Sequence, residues 1–195
     1  LFGASARRQS KGDAGGREFF YQAQPHRGRD VEYALQVTFE DAFHGSQRVL
    51  EWEDGRKIDA KIPPGVKTGS RVRLKGQGAP GIAGGEPGDL YLMIEVLPDK
   101  RFRREGDDLK ITLPVGLFTL LLGGKISVAG IDRTVNLDIP PETRNGRIFR
   151  LQSLGMPRLK QAGQRGDLYA TVEAVLPKSL SDKEKNLLRQ WKGLR

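Results

Sequence analysis

Ile62-Pro63-Pro64 returns as Ile139-Pro140-Pro141, and Gly88-Asp89-Leu90-Tyr91 returns as Gly166-Asp167-Leu168-Tyr169. Between these anchors, Gly69 followed by Arg71-Val72-Arg73-Leu74 recurs as Gly146 followed by Ile148-Phe149-Arg150-Leu151, and Gly78-Ala79-Pro80 recurs as Gly155-Met156-Pro157. Leu35, Val37 and Gly45 fall a similar distance upstream as do Leu113, Val115 and Gly123. A period of roughly 77 residues is too long for a solenoid unit and suits two small sister domains.

Within the first copy, Val31, Tyr33, Leu35, Val37 and Phe39 alternate with Glu32, Gln36 and Thr38, the period of a half-buried strand. A second strand runs over Arg48 to Glu53, Asp54-Gly55 makes a tight hairpin turn, and Ile58, Ala60 and Ile62 alternate again. Short helical turns fall near Glu40 to Phe43 and Leu117 to Leu122. Each copy thus reads as strand, helical turn, hairpin, Pro-Pro loop and two further strands. The expected fold is mainly β: two tandem small β-sandwich-like domains, each with a short helix. After Pro177 the pattern turns helical. Ser181 and Glu184 form a capping box, and Leu187, Leu188, Trp191 and Leu194 make an apolar stripe that packs either on a second chain or back on the second domain.

Composition narrows the chemistry. The 195 residues carry 33 Lys+Arg against 24 Asp+Glu, a net charge of +9, and no cysteine. Disulfides, thiolate zinc sites and cysteine nucleophiles are therefore excluded, and the cytoplasm is permitted. His26 and His44 stand apart, so no metal or triad is expected. No apolar run reaches the roughly 20 residues needed to cross a bilayer. The chain starts Leu1-Phe2-Gly3, without Met or a signal peptide, and reads as a segment of a longer soluble protein. Residues 1–29, rich in Gly, Ser, Arg and Gln, read as a flexible linker.

Three local motifs lose to plainer readings. Gly76-Gln77-Gly78-Ala79-Pro80-Gly81 matches a dinucleotide fingerprint, but Ile82-Ala83-Gly84-Gly85-Glu86-Pro87-Gly88 cannot open the helix that the chemistry needs. Asp107-Asp108, Asp89 and Asp167 lack the opposed geometry of an acid and base pair and read as turn residues that accept backbone amides. Arg101-Phe102-Arg103-Arg104, between the copies, and the C-terminal Lys183, Lys185, Arg189, Lys192 and Arg195 read as solvated basic faces. Leu50 and Trp52 share a strand face with Arg48 while Val49 points the other way. Such a two-sided apolar strand is either covered by its own domain or offers one side to a ligand.

Val31 to Gly45, Ile62 to Val66, Arg71 to Gly78, the two Gly-Asp-Leu-Tyr segments and Arg104-Glu105-Gly106-Asp107-Asp108-Leu109, in this order, resemble the C-terminal substrate-binding region of DnaJ-type co-chaperones. The likeness covers nearly everything from residue 30 onward. It implies a linker remnant at 1–29, a client-binding β-domain at 30–105, a second β-domain at 106–178 and a helical dimerisation segment at 179–195. Trp52-Glu53-Asp54-Gly55-Arg56 closes its hairpin directly where many members insert a zinc module, so the likeness is to zinc-free members of the curved-DNA-binding type. No J domain with its His-Pro-Asp motif is present, so this chain by itself is not expected to stimulate ATP hydrolysis.

By position, the resemblance implies a peptide groove of Tyr33, Leu35, Leu50, Trp52 and Leu92 with Arg48 at the rim, and a dimer contact through Leu187, Leu188, Trp191 and Leu194. The implied partners are unfolded client polypeptides, a DnaK-type ATP-dependent chaperone whose acidic C-terminal tail meets Arg48, and a second copy of the chain in a homodimer. Neither enzymatic activity, a cofactor nor a membrane partner is implied. Sequence-nonspecific, weak DNA binding in the cytoplasm is the alternative function.

Overall fold

The computed structural model describes residues 24–52, 55–159 and 161–194. Val31–Val37 is β1, and its alternation ends where Thr38 caps α1, Phe39–His44. Thr38 Oγ1 accepts from the Asp41 amide while the Asp41 carboxylate accepts from the Thr38 amide (3.0 and 3.2 Å). Phe39, expected on the strand face, therefore opens the helix and is buried beneath it.

β2, Ser46–Glu51, and β3, Lys57–Ile62, form the expected hairpin. It closes where the Trp52 amide donates to the Arg56 carbonyl and Gly55 takes φ +80°. Asp54 of the expected turn lies outside the described residues. β4, Arg71–Leu74, and β5, Leu90–Val96, complete a three-stranded sheet in the order β1-β5-β4, with β1 parallel to β5.

The second copy repeats this plan. β6, Arg103–Glu105, leads into β7, Asp108–Gly116, then α2, Leu117–Leu122, and the hairpin of β8, Gly124–Ala129, with β9, Thr134–Ile139. β10, Ile148–Leu151, follows, then a small hairpin of β11, Pro157–Arg158, and β12, Gln161–Arg165, and finally β13, Leu168–Val175. The sheet order is β10-β13-β7-β6, with β7 parallel to β13. The chain ends in α3, Asp182–Gly193, opened by the expected Ser181–Glu184 capping box.

Alternation decides what is buried. Leu90, Leu92 and Ile94 on β5 face the hairpin residues Ile58, Ala60 and Ile62 in one core, and each large aliphatic side chain there is worth roughly 2 kcal/mol of burial. Leu168, Ala170 and Val172 do the same on β13. Residues 24–29, read from sequence as part of the linker, are hydrogen-bonded along the glycine-rich loop: His26 exchanges backbone bonds with Ile82, and the Gly28 amide donates to Glu86. The N-terminal part of that expectation, residues 1–23, lies outside the described residues.

The repeated Gly-Asp-Leu-Tyr has one physical job in both copies. The Asp89 carboxylate accepts from the Gly76 amide (2.8 Å) and from Arg73 and Arg27. The Asp167 carboxylate accepts from the Ser153 amide (2.9 Å) and from Arg150. Their own amides donate to Asp30 and Asp108, which fixes where β1 and β7 begin. The preceding glycines are required by close approach, since a Cβ on Gly88 would sit 2.1 Å from the Arg29 carbonyl and one on Gly166 2.1 Å from that of Asp107.

The Gly76 amide, then Arg73 and Arg27, hold the Asp89 carboxyl below its ordinary range despite burial; the Ser153 amide and Arg150 do the same for Asp167. A depressed folded-state pKa adds stability that is complete above the unfolded value, about 3.9, and is lost as pH falls through the folded value. Thermal unfolding of Asp89→Asn and Asp167→Asn is therefore expected to show a lowered Tm at pH 7 and a difference from the parent that shrinks as the pH drops below about 4. A constant difference down to pH 2 would remove the carboxylates from this role.

Candidate functional site

β1 is the outer strand of its sheet, and β2 is one side of a two-stranded ribbon, so among the described residues each leaves one edge unpaired. The Val31 amide donates to Asp89 and the Val37 carbonyl accepts from Leu97, which turns the odd-numbered main-chain groups of β1 toward β5. Those of Glu32, Ala34 and Gln36 face outward. On β2 the Trp52–Arg56 bond sets the same alternation, and the main chains of Gln47, Val49 and Glu51 face away from β3.

The side chains between these edges are the ones expected from sequence. Tyr33 and Leu35 lie on the inner face of β1, Leu50 lies on the inner face of β2 opposite Ile58, and Trp52 follows it. The Tyr33 and Trp52 rings meet across the two layers, 5.7 Å between centroids and inclined 50°. Leu35, Leu50 and Trp52 are half-buried against the core, and Tyr33 is 44% exposed. Val49 faces solvent. Leu92 differs from the other groove residues. It is fully buried as the cross-strand neighbour of Tyr33, and it supports the groove from below without reaching its surface.

Arg48 stands at the rim and donates to the Asp41 carboxylate at 2.5 Å. Burial alone would raise the Asp41 carboxyl, but the bonds from Thr38 and Arg48 outweigh it and hold it below its ordinary range. One carboxylate therefore both closes the cap of α1 and orients the rim cation. Thr38-Phe39-Glu40-Asp41 carries the S/T-x-x-acid spacing of a cap, the signal by which Asp41 was legible and was missed.

The second copy answers a question the sequence left open. Aligned through the shared registers Val31 with Leu90 and Leu109 with Leu168, and Ser46 with Ile62 and Gly124 with Ile139, the positions of Tyr33, Leu35, Arg48, Leu50 and Trp52 fall on Ile111, Leu113, Ile126, Val128 and Gly130. Val128 is fully buried, Leu113 nearly so, and Gly130 brings no side chain. β6 also pairs with the first residues of β7, covering an edge that is open on β1. At these positions the second copy thus carries a smaller and more buried set of side chains, with Ile111 and Ile126 half-buried.

On α3, none of the residues is buried. Leu187, Trp191 and Leu194 are exposed, Leu188 is half-buried, and a cavity of about 230 Å³ separates the helix from Phe118 and Leu180. Phe118 and Leu122 on α2 are exposed as well, so the apolar surface extends onto the second copy and is left uncovered by the described residues.

Residues 31–177 match the DnaJ C-terminal domain family. Among curated relatives, a protein named Chaperone protein DnaJ from Nitratidesulfovibrio vulgaris is 46% identical over 71% of this chain and 37% of its own length. Chaperone protein DnaJ 2 from Thermus thermophilus is 42% identical over 86% of this chain and 56% of its own length. A protein named Curved DNA-binding protein, from Pseudomonas syringae pv. tomato, is 36% identical over 86% of this chain and 60% of its own length. The chain thus spans between about a third and three fifths of the relatives it matches.

Proposed function

Because the chain belongs to the DnaJ C-terminal domain family, we propose that it is the non-enzymatic, client-binding module of a cytoplasmic co-chaperone, which takes extended apolar segments of unfolded polypeptides into the first-copy groove and passes them to a DnaK-type ATP-dependent chaperone. The observation that supports this reading most is the asymmetry of the copies: part-exposed aromatic and aliphatic side chains beside strand edges unpaired among the described residues in the first, and smaller, more buried counterparts in the second. A client strand adds to the free edge of β2, bonding to the main chains of Gln47, Val49 and Glu51, while alternate apolar side chains rest on Tyr33, Leu35, Leu50 and Trp52. Main-chain bonding with shallow pockets tolerates many sequences, which is what a chaperone requires. Affinity about micromolar follows, on the order of 8 kcal/mol. Arg48 attracts the acidic C-terminal tail of the DnaK-type partner in competition with Asp41, a contact that salt weakens.

The uncovered stripe of α3 fits a two-fold mate. A helix of this length is marginal alone, and a dimer gives one client two grooves and the avidity that comes with them.

Sequence-nonspecific DNA binding is the second reading, favoured by the net charge of +9 and by the relative named for curved DNA. It predicts affinity that falls steeply with salt, as phosphate contacts do, whereas client binding through apolar side chains and main-chain bonds is much less salt-sensitive.

Two measurements check the leading reading. Trp52→Ala should weaken binding of a labelled unfolded client by about 2 kcal/mol with a small change in Tm, at low and high salt alike; unchanged client affinity with lost stability would make Trp52 a core residue and end the groove assignment. Sedimentation at micromolar concentration should give the mass of two chains, and truncation after Pro177 should halve it. A monomer before and after truncation contradicts the dimer.

A further inference from the structure

Arg101-Phe102-Arg103-Arg104, read from sequence as a solvated basic run, is built into the joint between the copies. Arg104 donates to three carbonyls, Val66 (2.6 Å), Gly65 (3.1 Å) and Gly106 (2.8 Å), and so ties the loop after β3 of the first copy to the start of the second. Phe102 is buried and stacks on Phe39, 6.3 Å apart and nearly parallel, with the Arg101 guanidinium 4.7 Å from its ring centre. Arg103 extends furthest into solvent, with 84% of its side chain exposed and Glu105 3.9 Å away.

These residues border a cleft of about 530 Å³. One wall is apolar, made of Val96, Leu97, Pro98 and Phe102, and among the described residues Leu97 keeps 41% of its surface exposed. The rim carries Lys67 and Arg103, with Asp99 the one acid of the lining. No carboxylate among the described residues pairs with Lys67, and Arg103 comes no closer than 3.9 Å to Glu105, which Lys110 holds at 2.7 Å. The other nearby acids are engaged as well: Asp99 accepts the amides of Arg101 and Phe102, and Asp107 faces Arg158. An apolar wall beside Lys67, which has no carboxylate partner among the described residues, and Arg103, which is only loosely paired with Glu105, favours a ligand that supplies both apolar cover and carboxylates.

We propose that this junction cleft is a second docking site, separate from the groove, for an acidic peptide segment that carries a large apolar side chain: the apolar residue covers Leu97 and Phe102, and flanking carboxylates pair with Lys67 and Arg103. The site lies on the tie between the copies, so its occupant bridges them.

The test is fluorescence anisotropy of a labelled nonapeptide with a central Phe flanked by Glu residues, titrated with the full chain. Lys67→Glu combined with Arg103→Glu should raise Kd at least tenfold, and Leu97→Ser should raise it several-fold. Both changes lie at exposed positions, so an unchanged Tm accompanies them. Arg48→Glu, at the groove rim, should raise Kd far less than the cleft variants do, and a peptide with Ser in place of Phe should bind several-fold more weakly. Equal binding by the Lys67→Glu and Arg103→Glu variant overturns the proposal. So does a loss in Arg48→Glu as large as at the cleft, which would place the peptide in the groove, or equal binding of the Ser peptide, which would reduce the cleft to a general anion surface.

Discussion

A single buried carboxylate at the head of the central strand organises each copy. Asp89 gathers the Gly76 amide and two arginines, and its amide is held by Asp30 one residue before β1 begins. That bond sets Val31 opposite Leu90, and with the period of two every later residue of β1 follows. Tyr33 and Leu35 then fall on the inner face, while Glu32, Ala34 and Gln36 present their main chains at the open edge. A slip of one residue would turn Tyr33 to the outer face and close the site.

Duplication let the two copies diverge while this frame stayed constant. Asp167, Ser153, Arg150 and Asp108 repeat the network of the first copy. What changed lies in the hairpin above it, where Arg48, Leu50 and Trp52 gave way to Ile126, Val128 and Gly130. The first set keeps two half-buried apolar side chains and an exposed cation at the surface; the second replaces them with a half-buried Ile126, a fully buried Val128 and a glycine. The two halves thus share one architecture: the first is the client-binding half of the proposed function, and the second carries the helix with the exposed apolar stripe. The tie at Arg104 joins the two.

Much of this was legible because short-range rules act alone in some places. Period-two alternation over Val31–Val37 and Ile58–Ile62, the helical stripe after Ser181, and the repeated Gly-Asp-Leu-Tyr each carry their structure in a few neighbouring residues. The groove residues were reached through resemblance; periodicity alone left Leu50 and Trp52 undecided between core and ligand face. Other features depend on distant partners and left no local trace. Leu92 is sealed beneath Tyr33 because β1 and β4 both flank β5. Arg104 looked solvated because its three carbonyl partners include Gly65 and Val66, far upstream in sequence. The hairpin of β11 and β12 was unseen since Pro157 and a glycine-rich stretch mask its alternation.

The central claim is that the first copy, and not the second, receives the client as an added strand. Hydrogen exchange of the full chain, with and without a saturating unfolded client, tests it directly by reporting on main-chain amides. The account predicts new protection at Gln47, Val49 and Glu51, where outward-facing groups gain partners, and unchanged exchange over 109–116 and 124–129. Protection centred on the second copy, or equal in both, would contradict it.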